Sequence, residues 1–190
     1  MTCDKEFKSM LESLITSKTR IKLLLKFFLN SANTSYLRDL AAEFGESTNA
    51  IRLELNHLEG AGLLYSKAAG NKKLFQANRQ HPLFYDIQQL LLKHTGIDHV
   101  IEKVVANLGG LHSAYITGSF ARGHDNPVID LLLVGSDIDR EYLMHLVEST
   151  EKMIKRNIQY NIITSEEIAT LREQNLQLLL LWKQTDTQRP

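Results

Sequence analysis

The sequence predicts a mixed α/β fold, of the α+β kind, in two domains joined by helices. Three observations predict it. Between residues 17 and 79, three segments of helical period lead into two short apolar segments that flank a Gly-Asn turn. Between residues 111 and 164, apolar runs of strand length alternate with helical patterns in the order strand, helix, strand, helix, strand. Between these regions, His81-Pro82 forces the chain out of helix geometry, and two further helical patterns follow. The expected organisation is residues 1–80, a helical linker at 81–110, and residues 111–190.

Residues 1–16 read as an amphipathic lead-in, with Phe7, Met10, Leu11 and Leu14 on one face. Ser17 is placed to cap a helix from Lys18 to Leu29, whose apolar set is Ile21, Leu24, Leu25, Phe28 and Leu29. A second helix is expected from about Ser35 to Phe44, burying Tyr36, Leu37, Leu40, Ala41 and Phe44, with Gly45 ending it. Ser47 then caps a third helix, Thr48 to about Ala61, with Ile51, Leu55 and Leu58 inward. Leu63–Lys67 and Lys72–Ala77 are strand candidates joined through Ala68-Ala-Gly-Asn71, a hairpin signal.

Helix, glycine turn and capped helix make a helix-turn-helix, and the hairpin adds a wing. The stretches Leu37-Arg-Asp-Leu-Ala41, Glu46-Ser-Thr-Asn49 and Leu55-Asn-His-Leu-Glu-Gly-Ala-Gly-Leu63 carry a resemblance to the ArsR-like winged-helix regulators. The resemblance implies a third helix in the major groove of double-stranded DNA and a hairpin tip on flanking backbone. No metal-sensing cysteine pair is present, so a thiolate metal sensor is not expected. Outward residues Ser47, Thr48, Asn49, Arg52 and Asn56 are the candidate base readers; Arg suits guanine edges and Asn adenine. Asn71, Lys72 and Lys73 at the wing tip are candidate phosphate contacts. Glu54 and Glu59, on the same helix, argue against its whole surface meeting phosphate.

After the proline boundary, Leu83–His94 and Ile97–Leu108 read as helices, interrupted by Thr95-Gly96. Leu90, Leu91 and Leu92 in succession exceed one apolar stripe. Gly109-Gly110 opens the second domain, whose first strand is His112–Thr117. Gly118-Ser119 makes a tight turn, Ser119–Arg122 the first turn of a helix, and Val128–Val134 a second strand. Asp139 caps a helix from Arg140 to Arg156 with Leu143, Leu146, Val147, Thr150, Met153 and Ile154 on one face. A strand at 158–164 follows, then a helix capped by Ser165, with Glu166 and Glu167 suiting its dipole. That helix is expected to end in Leu176, Leu178–Leu181 and Trp182, an apolar excess that suggests a homodimer interface.

Gly118 to Gly135, GSFARGHDNPVIDLLLVG, resembles the signature of the polymerase-β-type nucleotidyltransferases: a Gly-Ser turn, a short helix and a strand bearing Asp-x-Asp. The resemblance implies that Gly118, Ser119 and Arg122 lie at a nucleotide phosphate site and that Asp130 is the first metal-binding carboxylate. The second carboxylate position is Leu132, and the later strand, Ile158–Thr164, has no Asp or Glu. A two-metal site needs several hard oxygen donors, which one Asp cannot supply. The expected domain is a nucleotidyltransferase-like fold that has lost its chemistry. It has no catalytic residue, no metal site and no resident cofactor; nucleotide or Mg²⁺ would bind at most weakly.

Other features are compatible with this reading. Residues 1–80 hold 12 Lys/Arg against 8 Asp/Glu, a surplus of 4, while the whole chain balances at 22 and 22. The basic half is the one expected to meet an anion. Cys3 is the only cysteine, so no intrachain disulfide can form. No run approaches the roughly 20 apolar residues of a membrane span, and no signal-peptide core stands at the N-terminus, so a cytoplasmic protein without membrane contact is expected. The seven histidines are scattered. Arg140 and His145 share the Arg-x4-His spacing of HEPN-type ribonucleases, but fall on the exposed side of an amphipathic helix. The sequence therefore predicts a dimeric transcriptional regulator binding DNA, its second domain an effector or dimerisation module for a nucleotide or other small molecule. The alternative is an active nucleotidyltransferase that uses its winged helix for docking.

Overall fold

The computed structural model describes residues 15–174 and 176–184; the expected lead-in helix lies outside them. It is a mixed α/β structure with eight α-helices and two sheets among the described residues. The chain divides into two compact units. One runs to His94 and includes Gly123–Asp125; the other comprises Thr95–Arg122 and the chain from Asn126.

In the first unit, α1 is Lys18–Leu24, and the Ser17 hydroxyl accepts from the Arg20 N–H at its start. The helix widens into a π-turn at Leu25–Leu29. The wider turn carries a continuous buried run, Leu23–Leu25 and Phe27–Leu29, into the core. Phe28 stacks on Phe84 at 5.4 Å between ring centres. Each of these fully buried side chains contributes about 1.5–3 kcal/mol.

Thr34–Tyr36 forms β1, where the sequence predicted the opening of a helix. β3 (Lys72–Ala77) takes these three residues as its antiparallel partner, Ser35 opposite Phe75. α2 therefore starts at Leu37 and runs to Phe44; Tyr36 and Leu37 are only half-buried, and Leu40 and Ala41 make its inner face. Ser47 accepts from the Ala50 N–H and caps α3, Thr48–Gly60, whose buried side is Ile51, Leu55 and Leu58 as expected. β2 (Leu64–Ala69) pairs with β3 through a two-residue turn at Gly70-Asn71, so the strand reaches two residues beyond its expected end. The sheet order is β1-β3-β2, all antiparallel. α4, Phe84–Thr95, follows, and Gln88 donates to the Phe28 carbonyl at 3.0 Å.

Three carboxylates pin α1, α3 and the hairpin together. Burial acts to raise Glu46, but hydrogen bonds from Lys22 (2.6 Å) and Thr19 outweigh it and hold the carboxyl below the ordinary value. Burial likewise opposes, and Ser17 and Arg20 (2.7 Å) override, at Glu54, which is also lowered. Glu59 is lowered chiefly by the Ser66 hydroxyl, then by Lys73 at 3.4 Å. A carboxyl with a depressed folded-state value binds its proton more weakly folded than unfolded. It stabilises the fold above the unfolded value, near 4.5, and that contribution is lost as pH falls through the folded value. The three carboxylates are therefore expected to make the first unit weaken as pH falls below about 4.5. Urea midpoints followed by hydrogen exchange in α3 check this; a midpoint unchanged at pH 3.5 would contradict it.

In the second unit, α5 is Ile97–Lys103, followed by a 3₁₀ turn at Val105–Asn107, which together replace the single helix expected there. β4 (Leu111–Ile116), the one-turn α6 (Gly118–Ala121) and β5 (Val128–Gly135) follow. α7, Arg140–Ile154, is capped by Asp139 accepting from the Tyr142 N–H; it buries Leu143, Val147 and Thr150, while Met153 is exposed. It returns the chain to β6 (Asn157–Ile163), parallel to β5. α8 is Ser165–Glu173. Its cap is Thr164, not Ser165: Thr164 accepts from the Glu167 N–H and Glu167 accepts from the Thr164 N–H, a reciprocal capping box.

The leucine-rich run is not the end of that helix. Leu179–Lys183 is β7, antiparallel to β4, with Ala114 opposite Trp182 and Ile116 opposite Leu179. Without a polar stripe, such a run suits a strand within a sheet as well as a helix between layers, and pairing with β4 satisfies its backbone. The sheet order is β6-β5-β4-β7. Of the run, Leu178, Leu179, Leu181 and Trp182 are half-buried, while Leu180 is 50% exposed.

Candidate functional site

The signature turn is built where β4 ends. The Thr117 N–H donates to the Asp130 carbonyl at 2.9 Å, tying the turn to β5. Gly118 has φ +62°, and a Cβ there would lie 2.1 Å from an Asp130 carboxylate oxygen. Backbone and space both demand glycine, and they bring the Asp130 carboxylate directly against the turn. The Ser119 hydroxyl accepts from the Asn126 amide at 3.2 Å; the Asn126 side chain in turn accepts from the Val128 N–H at 2.8 Å, and Arg156 donates to the Asn126 carbonyl. Asn126 and Arg156 were not singled out in the sequence, because neither belongs to the Gly-Ser/Asp pattern. Arg122 is exposed just beyond α6. With only four residues, α6 offers little of the dipole expected behind an anion.

Along β5, Asp130, Leu132 and Val134 share one face. Leu132 is buried, with Tyr115 opposite it on β4 and Asn161 on β6. Tyr115, Leu132, Val134 and Ile168 form a cluster, with Ile163, Leu171 and Leu178 packed against it. From α8, Arg172 donates to the Tyr115 hydroxyl at 2.6 Å and lies 5.5 Å from that ring's centre. The place of a second carboxylate is thus filled by packed side chains. Around Asp130 and Leu132, the neighbouring strand supplies Gln159 and Asn161, neutral amides. One carboxylate with two amides does not fit a two-metal centre. Among the described residues, no group of three or more His, Cys, Asp or Glu could hold a metal ion. No described helix is long and apolar enough to cross a membrane. Arg140 and His145 are both exposed on α7.

The second candidate surface is in the first unit. Ser47, Thr48, Asn49, Arg52 and Asn56 are all exposed. Glu54 and Glu59, the two acidic residues of α3, are both occupied, by Arg20 and by Ser66 with Lys73. Leu53, which the sequence did not mark, stands 54% exposed in the middle of this face. At the hairpin tip Asn71, Lys72 and Lys73 are exposed, but neither lysine is idle: Lys73 pairs with Glu59, and the Lys72 ammonium lies 5.4 Å over the Tyr36 ring.

No protein-family model and no curated protein matches this chain. Two solved structures are similar to part of it. One is a mutant of the toxin–antitoxin MntA–HpeT, 17% identical, covering 47% of this chain and 73% of that one at a TM-score of 0.34. The other is a protein from Sulfolobus solfataricus assigned as a nucleotidyltransferase, 24% identical, covering 47% of this chain and 88% of that one at a TM-score of 0.31.

Proposed function

We propose that this chain is a DNA-binding transcriptional regulator. Its first unit acts as a winged helix-turn-helix, and its second as a nucleotidyltransferase-like domain without catalysis that binds an effector or a second copy in the cytoplasm. The observation that carries the reading is the outward face of α3. A helix whose other side is fixed by Ile51, Leu55 and Leu58 presents Thr48, Asn49, Arg52 and Asn56 to solvent, side chains able to hydrogen-bond base edges. The surplus of positive charge in residues 1–80 and the neutralised Glu54 and Glu59 support an anionic partner. Buried Leu132 supports the loss of catalysis. Gly118, Ser119 and Asp130, gathered at one turn, are the vestige of a nucleotide site.

The test is selection of preferred duplexes from a random pool, followed by salt titrations. Arg52→Ala is expected to cost about 1–3 kcal/mol and to relax preference at one position. Replacing Lys72 and Lys73 with Ala should weaken all duplexes alike and lower the slope of log K against log salt by about one to two. The shortfall below two reflects their existing partners, Tyr36 and Glu59. A parent protein that prefers no duplex would overturn the regulator reading. Nucleotide transfer abolished by Asp130→Ala would restore the enzyme.

A further inference from the structure

We infer that Leu53 reads the 5-methyl group of thymine, and that the base pairs beneath the centre of α3 are A·T. The inference rests on α3 being the DNA-reading helix.

Leu53 is in the middle of a 13-residue helix, yet 54% of it is exposed. It is not the margin of an apolar patch. Of its same-face neighbours, Asn49 four residues before, Asn56 three after and His57 four after are polar and exposed, as is adjacent Arg52, and Ala50, three before, is small and half-buried. A protein partner would be met by a contiguous apolar surface; here one leucine stands among hydrogen-bonding side chains. That pattern matches the major groove, whose base-pair edges carry donors and acceptors and, at thymine alone, a methyl group. The neighbours point to the same base pair. Asn pairs its amide with N6 and N7 of adenine, and every adenine faces a thymine whose methyl projects into the same groove. With Asn49 and Asn56 flanking Leu53, adenine-directed donors lie on either side of a methyl-directed leucine.

The experiment uses the full chain and two probes: duplexes selected from a random pool, and the same duplexes made with deoxyuridine in place of thymidine, which removes the methyl and nothing else. The parent is expected to bind the uracil duplex about fourfold more weakly, the cost of losing one buried methyl-sized contact. Leu53→Ala should bind the thymine duplex about as weakly as the parent binds uracil, and should show no further loss on uracil. Leu53→Met, still apolar and long, should keep most of the thymine preference. Ala and Met are good helix formers at an exposed site, so both variants should fold. If Leu53→Ala retains the full thymine preference, or the parent has none, the assignment fails. A fall in solution mass on Leu53→Ala with thymine preference intact would give Leu53 to a protein interface instead. These outcomes are separable from failure of the underlying reading, in which no duplex is preferred and Arg52→Ala changes nothing.

Discussion

Leu132→Asp is expected to unfold the second unit rather than to give it a metal site. Leu132 is 5% exposed, walled by Tyr115, Val134 and Ile168, with Ile163, Leu171 and Leu178 around them. Removing a buried leucine side chain alone costs about 2–5 kcal/mol. A carboxylate in its place would put a charge into a packed apolar cluster, adding several kcal/mol more unless it binds a proton. The loss rivals the roughly 5–15 kcal/mol total stability of an ordinary domain. Trp182, the only tryptophan, lies in β7 of the same sheet, so its fluorescence reports this unit. Leu132→Met should shift the denaturant midpoint little, at less than about 1.5 kcal/mol. A folded Leu132→Asp protein that gained Mg²⁺-dependent nucleotide transfer would show that the packed face is a closed but intact site.

Gly110→Ala should be nearly as damaging, although it adds one methyl group. Gly110 has φ +72°, which costs an L-residue about 1–3 kcal/mol. A Cβ there would stand 2.1 Å from the Ser136 carbonyl oxygen, a backbone atom that cannot swing aside. The Ser136 N–H donates to the Gly110 carbonyl at 3.0 Å, so the clash falls where β4 and β5 begin to pair. Strain and overpacking together are expected to cost about 2–5 kcal/mol in the same fluorescence assay. Gly109→Ala is the control: nothing lies within 4 Å of its Cβ and its φ is ordinary, so the change should stay within about 0.5 kcal/mol. Equal midpoints for the two variants would mean that the Gly110–Ser136 crossing is not rigid.

The parts legible in the sequence were those with a local physical cause. Ser47 and Asp139 were found because a cap needs an oxygen three residues before a free N–H. The inner face of α3 was found because Ile51, Leu55 and Leu58 repeat at helical period over about two turns. The illegible parts depend on distant partners. β1 has three residues, too few to show a period, and exists because β3 accepts it. Leu178–Trp182 has no polar alternation to tell strand from helix, and the free edge of β4 decides it. The site divides the same way. Gly118, Ser119 and Asp130 were visible as a pattern, whereas Asn126 bracing Ser119 and Arg172 on Tyr115 join residues with no spacing rule between them.

The order of the second sheet also sets a schedule for its assembly. β4 is the first of its strands to emerge from the ribosome and β7 the last, yet the two are neighbours, with Ser113 opposite Lys183. Until β7 is translated, one side of β4 offers a row of open backbone donors and acceptors beside buried Ala114 and Ile116, the kind of surface that recruits another nascent chain. Closing it requires a long loop to be drawn in, which is slow. The vulnerability of this protein is therefore greatest at birth, and chains cut short before Leu179 should accumulate as aggregates rather than as folded fragments.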